Sequence, residues 1–217
     1  MRLAMPRLYA IIDPSFGDGR SLIEICEALL AGGATLLQYR DKSSSPRALF
    51  ENGLRLAVRV HDAHSKFILN DRADIARALE ADGVHVGQDD LPVESARRVM
   101  GSERWVGFST HDLDQVREAD SSSADYVAFG PVFQTFSKQK PDPVVGLDGV
   151  RAARQATGKA LVAIGGITVE NACSVIEAGA DSVAVIQNLL RAPDIAARTR
   201  EFLAVLSPAE GGATNAV

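Results

Sequence analysis

The chain has 217 residues, enough to bury a large core, and its 23 Lys plus Arg against 28 Asp plus Glu leave a formal charge of −5. A hydrophobic share of 46% and a charged share of 24% exclude wholesale disorder, and the acidic balance argues against a broad nucleic-acid surface. No apolar run approaches the ~20 residues that span a bilayer.

The N-terminal stretch MRLAMPRLYAIIDPS runs straight into Asp13 and Pro14, unlike a secretory signal, so a cytoplasmic protein is expected. Short β-branched runs predict strands at 8–12, 35–40, 66–70, 84–87, 105–109, 125–130, 160–165 and 182–186. Between them, apolar residues at intervals of three and four predict helices, as at 21–33, 46–64 and 169–180. Gly32-Gly33, Gly83, Gly158 and Gly179 fall where helix ends or turns want a residue tolerant of positive φ. Cys26 and Cys173 sit in apolar helical patterns and read as buried, reduced thiols; with no C-x-x-C pair, any catalytic metal must rest on oxygen ligands.

Eight strand–helix units with largely apolar strands predict an α/β fold, a single (β/α)8 TIM barrel over 1–217. Asp13-Pro14-Ser15, in place of G-x-G-x-x-G after the first strand, argues against a dinucleotide-binding sheet. The barrel core is expected at about 8–206, with a flexible tail at 207–217. The long irregular stretch 131–146 reads as a functional loop.

In such barrels the chemistry lies at the C-terminal ends of the strands. Along strand two, Gln38, Arg40 and Lys42 share a face and suit a phosphorylated ligand, while Leu37 and Tyr39 face the other way. Strands three and four end in Asn70-Asp71-Arg72 and Gln88-Asp89-Asp90. Mg²⁺ held by one or two carboxylates plus substrate phosphate would neutralise these acids. Capping of the next helices by Asp71 and Asp90 explains either residue alone, but not cations on strand two facing both. Ser109 and Thr110 are ligand groups or N-caps; His111 is an acid–base candidate or structural, and His61 and His64 read as surface. Thr135, Phe136, Ser137 and Lys138 add hydroxyls and a cation in the long loop. The Gly165-Gly166 turn occupies the position where this architecture binds phosphate.

Taken together, these motifs resemble the thiamine-phosphate synthase family, also called thiamine-phosphate pyrophosphorylase. The resemblance covers about residues 8 to 206. It rests on Gln38-Tyr39-Arg40-Asp41-Lys42, Asn70-Asp71-Arg72, the runs 81–90, 106–111 and 125–133, Thr135-x-Ser137-Lys138, and 163–168. It implies a Mg²⁺-assisted transferase that joins a hydroxymethylpyrimidine diphosphate to a hydroxyethylthiazole phosphate and releases pyrophosphate. The implied diphosphate contacts are Gln38, Tyr39, Arg40, Asp41, Lys42, Asn70, Ser109 and Lys138, with Arg40, Lys42, Ser109 and Lys138 at the reacting centre. The implied metal ligands are Asp71 and Asp90, and the thiazole-phosphate contacts Thr135, Phe136, Ser137, Gly166, Ile186 and Gln187. The chain departs from the family pattern at Ser137, where Thr is common, and at Ile186-Gln187, where a small residue and then Ser are typical. Two other functions share the fold: a thiazole tautomerase using His111, and a barrel that binds thiamine precursors without turnover. The first has no use for Asp71 and Asp90 or for the Gln38-x-Arg40-x-Lys42 set, and the second rests only on Gln187-Asn188.

Overall fold

The computed structural model describes residues 2–135 and 143–207. Its strands are β1 (Leu8–Ile12), β2 (Leu36–Tyr39), β3 (Lys66–Asn70), β4 (Gly83–Val86), β5 (Trp105–Thr110), β6 (Tyr126–Phe129), β7 (Ala160–Ile164) and β8 (Ser182–Val185). All pair in parallel with their sequence neighbours, and β8 returns to β1 to close an eight-stranded barrel. The helices are α1 (Leu22–Ala31), α2 (Pro46–Asp62), α3 (Ala73–Ala78), α4 (Val93–Met100), α5 (Leu113–Ser121), α6 (Gly146–Ala156), α7 (Val169–Glu177), the short α8 (Gln187–Leu190) and α9 (Ile195–Leu206). The TIM-barrel expectation is therefore met, with strand ends displaced by a residue or so.

Alternation along each strand divides the core into two layers. Leu8, Ala10 and Ile12 of β1 face the helices, as do Leu37 and Tyr39 of β2 and Val84 and Val86 of β4. Tyr9, Ile11, Leu36, Ile68, Tyr126, Ala128, Ala160, Val162 and Ala184 fill the barrel. Burying each large apolar side chain contributes roughly 1.5–3 kcal/mol. Local signals fix where helices begin. Ser21 and Glu24 form a capping box on α1, and Ser45 caps α2 with Pro46 at its first position.

The N-terminal rim repeats one device before every other strand from β4. Ala81-Asp82, Ala124-Asp125 and Ala180-Asp181 each place a carboxylate that accepts an amide of the preceding strand. Phe67 N–H donates to Asp82 at 2.8 Å, Val106 N–H to Asp125 at 2.6 Å and Leu161 N–H to Asp181 at 2.8 Å. Lys66, Arg97 and Arg154 are the respective cation partners. His61, read as a surface residue, adds its Nε2 to Asp82 at 3.0 Å.

Two local expectations are corrected. Gly83 is the first residue of β4, not a turn: a Cβ there would lie 2.6 Å from the Trp105 carbonyl oxygen, so close strand packing excludes a side chain. Cys26 is buried, whereas α7 turns Cys173 to solvent. The expected tail lies, from 208 onward, outside the described residues, as do 136–142 of the long loop.

Candidate active site

At the C-terminal end of the barrel a cavity of about 360 Å³ opens between the strand ends. Eight of the expected site residues line it: Gln38, Arg40, Asn70, Ser109, Thr135, Gly166, Ile186 and Gln187. Phe136, Ser137 and Lys138 lie outside the described residues. Arg40 is the only Lys or Arg on the lining among the described residues, and the deep part is formed by Tyr9, Ile11, Ala128, Val162 and Ala184.

The floor carries a buried polar chain that the motifs did not reveal. Gln38 Nε2 donates to the Tyr9 hydroxyl at 2.8 Å, which is 2.9 Å from the Tyr126 hydroxyl. Tyr126 Oη lies 3.1 Å from His85 Nδ1, and His85 Nε2 lies 2.8 Å from Ser109 Oγ. Alternation puts all five inside, and Gly107 makes the space, since a Cβ there would lie 2.1 Å from the Tyr126 ring. Burial pushes His85 down to about 4, against the attraction of Asp90, so its imidazole is neutral near pH 7. Burial likewise pushes both tyrosine hydroxyls up. A polar residue at an inward position of an otherwise apolar strand was the available signal for His85.

The β2–β4 side of the mouth is charged. Arg40 pairs with Asp13, a buried carboxylate that also accepts the Ser15 amide at 3.0 Å. Asp13 therefore has a positive role beyond replacing a glycine-rich turn. Lys42 Nζ lies 2.5 Å from Asp71 Oδ2. Burial and a hydrogen-bond contact with Asp90 push the Asp71 carboxyl up, while Lys42 pulls it back. Asp71 has φ of 64°, a left-handed conformation that Asp tolerates better than most residues. The capping alternative does not occur: Arg72 and Pro92 hold the N-cap positions of α3 and α4, neither with a side-chain cap, and Asp90 instead accepts the Gly87 amide at 2.8 Å.

Two expected contacts point elsewhere. Tyr39 faces the helices because it alternates with Gln38, and its hydroxyl donates to Asp41 at 3.1 Å. Asp41 organises the turn into α2, accepting the Ser43 and Ser44 amides and hydroxyls. Those bonds outweigh burial and hold its carboxyl down at about 2. Neither residue lines the cavity, so each reaches the site only through the strand and loop it positions.

On the opposite side, Gly165 and Gly166 have φ of 101° and 65°. A Cβ on Gly166 would lie 2.6 Å from the Gln134 carbonyl oxygen, so a bare backbone lets this turn pack beneath the β6 loop and face the cavity. Gln187 and Asn188, in the first turn of α8, complete that wall. Ser109 and Thr110 cap no helix, because Asp112 caps α5; Thr110 donates to the Ala128 carbonyl at 2.9 Å. His111 lines the cavity with Nδ1 2.8 Å from the Gly130 carbonyl oxygen, to which it donates.

The chain is similar in sequence and in fold to known proteins. Residues 8–189 match the family described as thiamine monophosphate synthase. A thiamine-phosphate synthase of Koribacter versatilis is 53% identical over 208 residues, covering 94% of this chain and 97% of its own. One from Chloroflexus aurantiacus is 44% identical over 201 residues, covering 93% of each. The solved structure of a thiamine phosphate pyrophosphorylase from Pyrococcus furiosus superposes with a TM-score of 0.84 at 34% identity, covering 92% of this chain and 95% of that one.

Proposed function

The chain belongs to the thiamine monophosphate synthase family, and we propose that it joins 4-amino-2-methyl-5-hydroxymethylpyrimidine diphosphate to 4-methyl-5-(2-phosphoethyl)thiazole, yielding thiamine phosphate and pyrophosphate. The observation that carries this reading is the division of one cavity into three parts. A neutral floor suits an uncharged heterocycle, the β2–β4 rim suits a diphosphate, and the glycine turn with α8 suits a second, singly phosphorylated partner. This division moves Gln38 from the diphosphate to the heterocycle, because its amide is tied into the buried floor at the Tyr9 hydroxyl.

In the reaction, the bond between the pyrimidine methylene carbon and the diphosphate oxygen breaks, and the diphosphate leaves with the electron pair. The thiazole nitrogen then donates its lone pair to that carbon. The nitrogen is already a nucleophile, so no general base is required. Arg40 and Lys42 hold the departing charge, which grows through the step and strengthens their attraction. Asn70 and Ser109 bound the floor on that side, and Lys138, three residues beyond Thr135 in the sequence, is proposed to join Arg40 and Lys42 on the diphosphate. Backbone amides at Gly166 and around Ile186 and Gln187 face the thiazole phosphate.

Asp71 and Asp90 fit Mg²⁺. They are hard oxygen donors brought into contact with only Lys42, among the described residues, to answer them, and two carboxylates would leave the remaining positions to diphosphate oxygens and water. Bound there, Mg²⁺ would neutralise the leaving diphosphate. Among the described residues no helix is long and apolar enough to cross a membrane, and small phosphorylated molecules are the expected partners.

Mixing both substrates with Mg²⁺ and measuring thiamine phosphate and pyrophosphate tests the reading. Equimolar appearance of both products, dependent on each substrate, is expected. Thiazole isomerisation without coupling would replace it with the tautomerase, and binding of both substrates without turnover would replace it with a non-catalytic barrel.

A further inference from the structure

The floor's five polar groups form one unbranched chain that crosses the barrel from β2 to β5, and the donor is fixed at its first link. Gln38 Nε2 can only donate, so Tyr9 Oη accepts at 2.8 Å. Tyr9 can then pass its own proton to Tyr126 Oη at 2.9 Å, and Tyr126 its proton to His85 Nδ1 at 3.1 Å, an order in which every link has one donor and one acceptor. An imidazole that accepts at Nδ1 carries its one proton on Nε2, which donates to Ser109 Oγ at 2.8 Å. The Ser109 hydroxyl proton is left for a ligand, and so is Gln38 Oε1 at the far end. Reversing one member alone would set two donors or two acceptors against each other in a buried site, so the members turn together or not at all.

We propose that Tyr9, Tyr126 and His85 are positioning residues: a relay that couples the Gln38 amide to the Ser109 hydroxyl, so that the floor presents one acceptor and one donor in a fixed order. The ligand class this order selects is a planar heterocycle with an exocyclic amino group to give and a ring nitrogen to receive. A ring carrying a carbonyl in place of the amino group meets the wrong partner at one end, and the relay prevents that end from adjusting alone. The choice of heterocycle rests on the pyrimidine occupying the floor; the direction of the relay does not.

Two measurements test this. In protein labelled with ¹⁵N in the imidazoles, His85 should carry its proton on Nε2 and none on Nδ1 at pH 7, its signals identified by their loss in His85→Gln. A proton on Nδ1 would overturn the relay, whatever the enzyme's activity. The second is the KM for the pyrimidine diphosphate in Gln38→Ala, Ser109→Ala and the double variant, in the parent and in a Tyr126→Phe background. In the parent, the combined effect should fall short of the product of the single effects by about tenfold. In the Tyr126→Phe background the two effects should multiply, while the KM for the thiazole phosphate stays constant throughout. Multiplying effects in the parent, or parallel changes in both constants, would overturn the proposal. Absence of any coupled product from the parent would refute the assigned reaction instead, and the imidazole measurement would still decide the relay.

Discussion

At the N-terminal rim of the barrel, Asp82, Asp125 and Asp181 each accept a strand amide and pair with Lys66, Arg97 and Arg154 in turn, and Asp181 also holds Arg2. At the mouth, Asp71 and Asp90 touch each other, and one lysine serves the pair. Asp82 and Asp71 show the difference. Burial would raise the Asp82 carboxyl, but hydrogen bonds from Lys66, Phe67 and His61 bring it below its ordinary value. At Asp71 burial wins, helped by Asp90. The same residue type therefore stabilises the folded chain at Asp82 and costs stability at Asp71, where the proposed reaction would bring a cation and a diphosphate.

The sharpest break in that comparison is Asp90→Asn, which removes a charged oxygen ligand from the mouth alone. Turnover should fall by at least about a hundredfold, with partial rescue by excess Mg²⁺ or Mn²⁺ and no fall in the unfolding temperature, since the repulsion of Asp71 is relieved. Near-normal rates at limiting Mg²⁺ would remove Asp90 from the metal site.

Arg40 belongs to both ends of the argument, since it faces the cavity and also holds the buried Asp13. Arg40→Ala should lower kcat by roughly a hundredfold, about 3 kcal/mol of transition-state stabilisation, and also destabilise the fold by leaving Asp13 unpaired. Arg40→Lys should restore most of the stability and less of the rate, because an ammonium lacks the guanidinium's fork. A change confined to KM would mean uniform binding rather than stabilisation of the departing charge.

Asp125→Ala probes the opposite rim. It deprives Val106 N–H of its acceptor and Arg97 of its partner, and should cost about 2 kcal/mol, or roughly 4–8 °C in Tm, with kcat unchanged. Lost turnover at full stability would show that the lower rim reaches the site.

The smallest effect is expected at Gln187. Its amide adds at most one neutral hydrogen bond to a phosphate held chiefly by backbone, about 1 kcal/mol. Gln187→Ala should raise the KM for the thiazole phosphate by roughly fivefold to tenfold and leave that for the pyrimidine diphosphate unmoved. Equal changes in both constants would contradict the division of the cavity.

How much of this was legible in sequence follows from the range of each signal. Strands and inward faces depend on alternation within five or six residues, so period-two spacing alone places Gln38, Arg40 and Ser109 on the cavity side. Tyr39 was legible as outward-facing, yet the resemblance counted it among the contacts because it sits inside the motif. The relay is silent in the sequence because Tyr9, His85 and Tyr126 come from three distant strands, and each is a single polar group amid apolar neighbours. Closure of the barrel alone brings them together. Asp13 is silent for the same reason: its partner lies 27 residues away, across the β1–β2 pairing. The Ala-Asp repeat was visible in the letters, but its amide partners are set by strand register.

The claim that rim charges hold the fold while mouth charges await the reaction is tested most directly by measuring Tm and kcat/KM for Asp71→Asn and Asp82→Ala side by side at pH 7. Asp71 has a raised carboxyl in the folded chain, so its charge opposes folding at pH 7; an amide removes that charge, can donate to Asp90 and tolerates the left-handed backbone. Asp71→Asn should therefore raise Tm while abolishing turnover. Asp82 has a lowered carboxyl, so its contribution is present above its unfolded value and disappears only as pH falls through the folded one. Asp82→Ala should lower Tm at pH 7 and leave kcat/KM at the parental value, and its deficit against the parent should vanish in strong acid. If Asp71→Asn instead loses stability in step with activity, or Asp82→Ala loses activity at full stability, the two ends do not divide their charges as described.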